Sequence, residues 1–313
     1  MPCSNDYLRE LVKSTKHIGG LKTQRKYNLK EETYSRYIRL ANQRRIIFDY
    51  DLRESEQVNI LLLDIETLPM HVRVWGLYKQ RIPIDNIIKE WIMLSWAAKW
   101  LYEDEVYSDI LTPEECSQRS DKRICQSIWD MIDRADIIIA HNLKRFDIRK
   151  LNSRFINNGL MPPSHYRMID TLIESRKNFA HSSHKLEYLG RLLRNEGKID
   201  TNYQLWLDCE SGDKKALGMM LAYNIEDVNL LEAVYIWIRG WIKNHPNIGL
   251  YLDIDYPTCR NCGCEDLRTS DKWYITGVNK FKAYQCTKCG ATGRLLSETS
   301  KKQRNNTLRS LSY

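Results

Sequence analysis

Apolar and polar positions follow two different rhythms along this chain. Residues 58–64 read Val-Asn-Ile-Leu-Leu-Leu-Asp, a near-continuous apolar run of the kind that fills a strand buried on both faces. The stretches 91–100 and 105–111 predict neighbouring strands joined by a turn at Tyr102-Glu103-Asp104. Over 124–135 the period changes: Ile124, Ile128, Met131 and Ile132 fall on one helical face. A buried strand is expected over 136–140, then a helix over 147–158 that stops near Gly159, and a short helix over 185–194. The spacing of Leu217, Leu221, Ile225, Val228, Leu231 and Val234 predicts a long helix over 214–242. Strands interleaved with helices make 56–248 an α/β domain without internal repeats.

The flanks follow other rules. Residues 1–55 are rich in Lys and Arg and predict short helices over Asp6–Lys16, Leu21–Tyr27 and Lys30–Arg44. The basic third helix, with Arg36, Arg39 and Arg44, fits a helix-turn-helix; it fits equally a solvated extension packed on the catalytic domain. Residues 249–297 turn β-rich and aromatic, as in Lys272-Trp273-Tyr274-Ile275, and 298–313 form a Ser-, Lys- and Arg-rich tail expected to be a flexible basic arm.

Composition narrows the class. The chain is 42% hydrophobic and 28% charged, ordinary for a soluble globular protein. Its net charge of +8 favours a polyanionic partner. No apolar run is long enough to span a bilayer, and the start lacks the features of a secretion signal, so an intracellular, cytoplasmic location is expected. Five of the nine cysteines crowd into 259–289, which suits a metal knot in a reducing compartment better than a disulfide framework.

Three stretches carry candidate chemistry: Asp64-Ile65-Glu66-Thr67, then Asn142-Leu143-Lys144-Arg145-Phe146-Asp147, then Tyr223-Asn224-Ile225-Glu226-Asp227. Asp64 and Glu66, two apart at a predicted strand end, share a face of that strand. Tyr223 and Asp227, four apart, share a face of the long helix. Each has an ordinary structural alternative; Asp147, for one, could simply cap a helix. Together they place four carboxylates at the edges of apolar elements, where desolvation is unfavourable unless a cation compensates. A two-metal site for phosphoryl transfer accounts for all of them.

This motif set resembles the DEDD 3′–5′ exonucleases of the ribonuclease H-like, DnaQ-like superfamily. Tyr223 in place of histidine marks the DEDDy branch. The Asn142 to Phe146-Asp147 spacing is similar to the proofreading domains of family B DNA polymerases and to stand-alone exonucleases of the YprB type, as are Asp170-Thr171-Leu172 and 185–190. The resemblance covers about residues 58–240 and implies a mixed five-stranded sheet flanked by helices. It implies that Asp64, Glu66 and Asp227 hold one magnesium or manganese ion, with Asp64 bridging to a second near Asp147, and that Tyr223 orients the attacking water. It also implies that Thr67, Leu68, Asn142 and Phe146 contact the terminal nucleotide, although Phe146 could equally be core. The expected substrate is a single-stranded 3′ end, DNA before RNA, with replication or repair proteins as further partners. An RNA-processing or structure-specific nuclease of the same superfamily, or a non-catalytic nucleic-acid-binding protein, are the alternatives. Among other polar residues, His141, Asp170, His181 and His184 are expected to be structural.

Cys259-Arg260-Asn261-Cys262-Gly263 and Cys286-Thr287-Lys288-Cys289-Gly290 are paired Cys-x-x-Cys-Gly turns. Their thiolates predict one closed tetrahedral zinc site, and 249–297 resembles a zinc ribbon. Cys264 is left as a spare thiol. Between the pairs, Arg268, Lys272, Trp273, Tyr274, Lys280, Phe281, Lys282 and Tyr284 suit single-strand stacking or serve as the filler of a small sheet.

Overall fold

The computed structural model describes residues 27–30, 32–33, 37, 58–79, 81–194, 202–252, 256–277 and 279–297. The chain divides into two compact units, Met1–Gln57 and Val58–Tyr313. In the first, Glu32, Thr33 and Tyr37 are helical; the remainder of the expected N-terminal helices, and the tail over 298–313, lie outside the described residues.

The second unit is built on a five-stranded mixed sheet in the order β5-β4-β1-β6-β7. The strands are β1 (Ile60–Leu68), β4 (Ile92–Trp100), β5 (Tyr107–Ile110), β6 (Ile137–Ala140) and β7 (Arg167–Asp170). β4 runs antiparallel to β1 and β5, while β6 is parallel to both β1 and β7. The apolar run predicts its own position, since Leu61, Leu62 and Leu63 are fully buried at the centre of the sheet. β1 differs from expectation in length: it continues through Asp64 and Glu66 to Leu68, because β4 pairs with it along that whole stretch. The first acid motif therefore lies inside a strand. A short hairpin, β2 (His71–Val72) with β3 (Ile87–Lys89), projects from its end.

Helices α1 (Pro113–Gln118), α2 (Lys122–Asp133), α3 (Asp147–Asn157), α4 (Thr171–Asn178), α5 (Leu186–Arg194), α6 (Tyr203–Glu210) and α7 (Lys214–Ile238) complete the unit. Adjacent residues of β4 report which helix covers which face. Trp96 donates to Ser127 of α2 at 3.2 Å, whereas Ser95 donates to Asn224 and Lys99 pairs with Glu232, both on α7. The cross-strand register sets Asp64 opposite Ala97 and Glu66 opposite Ser95, so both acids face α7. On the other side, the buried Asp121 carboxylate accepts from the Met93 amide and from Arg154 and Asn158, tying β4 to α3.

The expected long helix ends at Ile238 and tightens into a 3-10 turn over Arg239–Trp241. There the C-terminal segment docks. Its three-stranded antiparallel sheet has the order β10-β9-β8, from β8 (Leu267–Ile275), β9 (Lys280–Cys286) and β10 (Thr292–Ser297). Asn261 donates to the Arg239 and Ile242 carbonyls, and Arg260 to that of His245. A Cβ on Gly240 would lie 2.0 Å from the Cys289 carbonyl oxygen; only glycine permits this approach. Among the described residues no helix is long and apolar enough to cross a membrane.

Candidate active site and metal centres

Asp64 is held from across the sheet. The fully buried Asn224 donates its Nδ2 to Asp64 Oδ2 at 2.7 Å, while its own Oδ1 accepts from Ser95 at 3.1 Å. This relay orients one acid and fixes α7 against β1 and β4. Asp227 lies three residues beyond Asn224, so it shares that helix face, and it is buried. Tyr223 is half-buried against the same core. Asn224 went unnoticed in the sequence; its signal is an amide on an otherwise apolar helical face, three residues before a predicted ligand.

Asp147 begins α3 with Phe146 as its cap residue, so it does not itself cap the helix. It is 1% exposed, and its Oδ2 has no hydrogen-bond partner. Burial pushes its pKa up to about 8; bonds to its own backbone and to that of Ile65 oppose the shift, while Asp170 and Glu66 add to it. The Ile65 contact and the influence of Glu66 bring the second motif against the first. A buried carboxyl with an orphaned oxygen beside like charges suits a hard divalent cation, which would reverse the desolvation penalty. The carboxylates do not close into a tight cluster: among the described residues, the one group of three or more His, Cys, Asp or Glu drawn that close is the cysteine set.

The loop carrying Asn142 is shaped by Asp170. That carboxylate caps α4 by accepting from the Leu172 and Ile173 amides, and it also accepts from the Asn142 and Lys144 amides. Asn142 itself adopts a left-handed φ of 80°. His141 contacts the Thr171 hydroxyl and the His184 carbonyl, and burial lowers its pKa, which makes it part of the scaffold. His181 stacks between Phe179 and Trp237, also a packing role. Thr67 and Phe146 are half-buried. Leu68 is fully buried, paired with Ile92 at the end of the sheet. A bulge between Glu66 and Thr67 resets the facing at this point.

Cys259, Cys262, Cys286 and Cys289 bring their sulfurs within 4.8 Å of one another, with Cys259–Cys289 and Cys262–Cys286 both at 3.6 Å. A tetrahedron with zinc–sulfur bonds of ~2.3 Å has edges of about 3.8 Å; the four thiols fit zinc. Each knuckle closes through a glycine amide, Gly263 to the Cys259 carbonyl at 2.8 Å and Gly290 to that of Cys286 at 3.0 Å. Both glycines have positive φ, 69° and 74°. Cys264 packs beside the cluster without joining the four. Of the sheet aromatics, Tyr284 is core at 7% exposure, whereas Trp273 and Tyr274 are 40% and 51% exposed. Lys280 lies over Trp273 at 3.7 Å, and Arg294 over Phe281 at 4.1 Å.

Residues 102–239 match the model of the RNase_H superfamily, named RNase_H_2. The five-stranded mixed sheet flanked by helices is consistent with an RNase H-like fold. No curated protein matches the chain. Among solved structures, the chain is similar to the family B DNA polymerase of the hyperthermophilic archaeon Pyrobaculum calidifontis, with 13% identity and a TM-score of 0.44. That likeness covers 59% of this chain and 25% of the polymerase, so the chain spans about a quarter of that protein.

Proposed function

We propose that this chain is a metal-dependent 3′–5′ exonuclease of the DEDDy type, hydrolysing phosphodiester bonds at single-stranded 3′ ends, DNA in preference to RNA. Asp147 carries the reading: a buried carboxyl with an unsatisfied oxygen, pressed against the strand that presents Asp64 and Glu66. Asp64, Glu66, Asp147 and Asp227 would hold two magnesium or manganese ions, whose chemistry there would be to lower the pKa of an attacking water and to offset charge on the departing 3′ oxygen. Asn224 keeps the Asp64 carboxylate in one orientation. Tyr223 directs the water through its hydroxyl, a poor base but a good hydrogen-bond partner. Thr67, Asn142 and Phe146 border the terminal nucleotide. The zinc ribbon, with Trp273 and Tyr274 facing solvent beside Lys280 and Arg294, grips the strand upstream.

Single strands of DNA and RNA, labelled at either end and incubated with magnesium, manganese or EDTA, test this reading. The 3′ label should be released first, as a mononucleotide, and only with a divalent cation. Release from the 5′ end, or cleavage insensitive to EDTA, overturns it.

A further inference from the structure

We propose that Lys150 binds a backbone phosphate of the strand beside the scissile bond, an inference that rests on the nuclease reading above. Lys150 lies one turn beyond Asp147 on α3, so the two flank the same side of that helix. Its Nζ sits 3.6 Å from the centre of the Trp91 ring and 5.9 Å from that of Phe146. Trp91 immediately precedes β4, whose first residue, Ile92, pairs with Leu68 at the end of the strand that bears Asp64 and Glu66. The ammonium is therefore held near the end of the strand that bears the first acid motif, one helical turn from the second.

Aromatic faces attract a cation without neutralising it. Among the described residues Lys150 makes no ion pair, and the Coulombic influence on it is that of Glu90. Arg154, one turn further on, lies over the same Trp91 ring at 5.6 Å but is consumed by Asp121 at 2.6 Å. Of the two cations on this platform, one locks α3 to β4 and the other remains available. A partly desolvated ammonium that makes no ion pair among the described residues gains from an incoming anion, and lysine meets phosphate as a compact point charge. The proposed substrate brings such a phosphate to this edge of the site. Lys150 is thus a positioning residue for the strand.

The test is steady-state hydrolysis of a 3′-labelled single-stranded DNA oligonucleotide by the full chain across a salt series. Wild type is compared with Lys150→Gln, Lys150→Met and Lys150→Arg, and thermal midpoints are measured alongside. Lys150→Gln should raise KM about tenfold with kcat within about twofold, as for loss of one charge-assisted contact. Its plot of log kcat/KM against log salt should be shallower by about 0.7, one phosphate contact on a single strand. Lys150→Met, which keeps the apolar stem on Trp91, should match it, and Lys150→Arg should recover most of the loss. A merely structural lysine would shift the thermal midpoint and leave the salt slope alone. Unchanged KM and slope in the Gln and Met variants of an active enzyme overturn this inference and leave the nuclease reading intact. A wild type that cleaves nothing overturns both.

Discussion

The cysteine cluster and the carboxylate site each gather four candidate ligands, and they do so in opposite ways. The cysteines come from paired turns of the same design, each closed by a glycine in a left-handed conformation. Their sulfurs are already drawn within 4.8 Å of one another. The carboxylates come from a strand, a helix start and a long helix, and two of them have separate supports: Asn224 for Asp64, the Ile65 backbone for Asp147. They remain more open, with a buried oxygen of Asp147 unsatisfied. A structural site completes its coordination from the fold alone, whereas a working site leaves capacity for substrate. Like charges reinforce this contrast, since unscreened carboxylates resist the approach that neutral thiols tolerate.

The largest expected effect breaks the open side of that comparison. Asp64→Ala and Asp227→Ala should each reduce hydrolysis to background, a loss of about 10³-fold or more; the thermal midpoint should be unchanged or raised in Asp227→Ala, where a like charge has gone, and lowered in Asp64→Ala, where the buried Asn224 amide loses its acceptor. Cleavage of labelled single strands together with calorimetry checks both halves. Robust activity in the Asp64→Ala protein would remove the site assignment. Next comes the closed side. Cys286→Ser should release the zinc and unfold the ribbon, because such a metal supplies much of a small domain's folding free energy. Damage should also reach the core. Lys288 lies over the Tyr102 ring at the β4–β5 turn, and Arg239 bonds the same tyrosine from beneath the knuckles. Elemental analysis and thermal unfolding measure both consequences.

How each region could be read in advance follows from the same contrast. The cysteine turns were legible because their geometry is local and each residue type has one dominant use. The central strand was legible from its leucines, yet its true end was not. Asp64 and Glu66 interrupt the apolar pattern, and only pairing with β4 carries the strand onward to Leu68. β7 and α4 were missed because Arg167 and Met168 are exposed on an edge strand and α4 has little apolar periodicity. The acids stand out in the sequence by their spacing. Asn224 does not, since a buried amide becomes meaningful only when Ser95 and Asp64 are seen on either side of it.

The junction between the two regions gives two intermediate effects. His245 is buried; it donates to the Pro246 carbonyl, and its other ring nitrogen accepts from the Tyr235 hydroxyl. Burial first, then Arg239 and Arg260, lower its pKa from 6.5 to about 4. The folded state therefore refuses a proton that the unfolded chain accepts. Stability from this group is complete above pH 6.5 and is lost as the pH falls toward 4, by about 3 kcal/mol in all. Thermal midpoints of wild type and His245→Gln across that window should converge as the pH drops. Gly240→Ala forces a methyl to 2.0 Å from the Cys289 carbonyl oxygen and should destabilise by about 2 kcal/mol through overpacking. Faster zinc release to a chelator would report the strained docking, while hydrolysis of short strands should change little.

The smallest effect sharpens the carboxylate side. Tyr223 shares the α7 face of Asp227 but sits further out, half-buried where Asp227 is buried. In the proposed mechanism it contributes one oriented hydrogen bond to the attacking water and no ligand to the metals. Tyr223→Phe removes the hydroxyl and keeps the ring that packs on the core. Losing one hydrogen bond of that kind is worth about 1 kcal/mol, or roughly a five- to tenfold drop in kcat. KM and the metal concentration for half-maximal activity should hold, because strand and cations are bound by other residues. Single-turnover hydrolysis at saturating manganese isolates this step. A Phe variant as fast as wild type would mean that the water is oriented by the carboxylates alone, and that the tyrosine marks the branch without serving its chemistry. A variant as slow as Asp227→Ala would instead place the phenol among the groups that hold the metals.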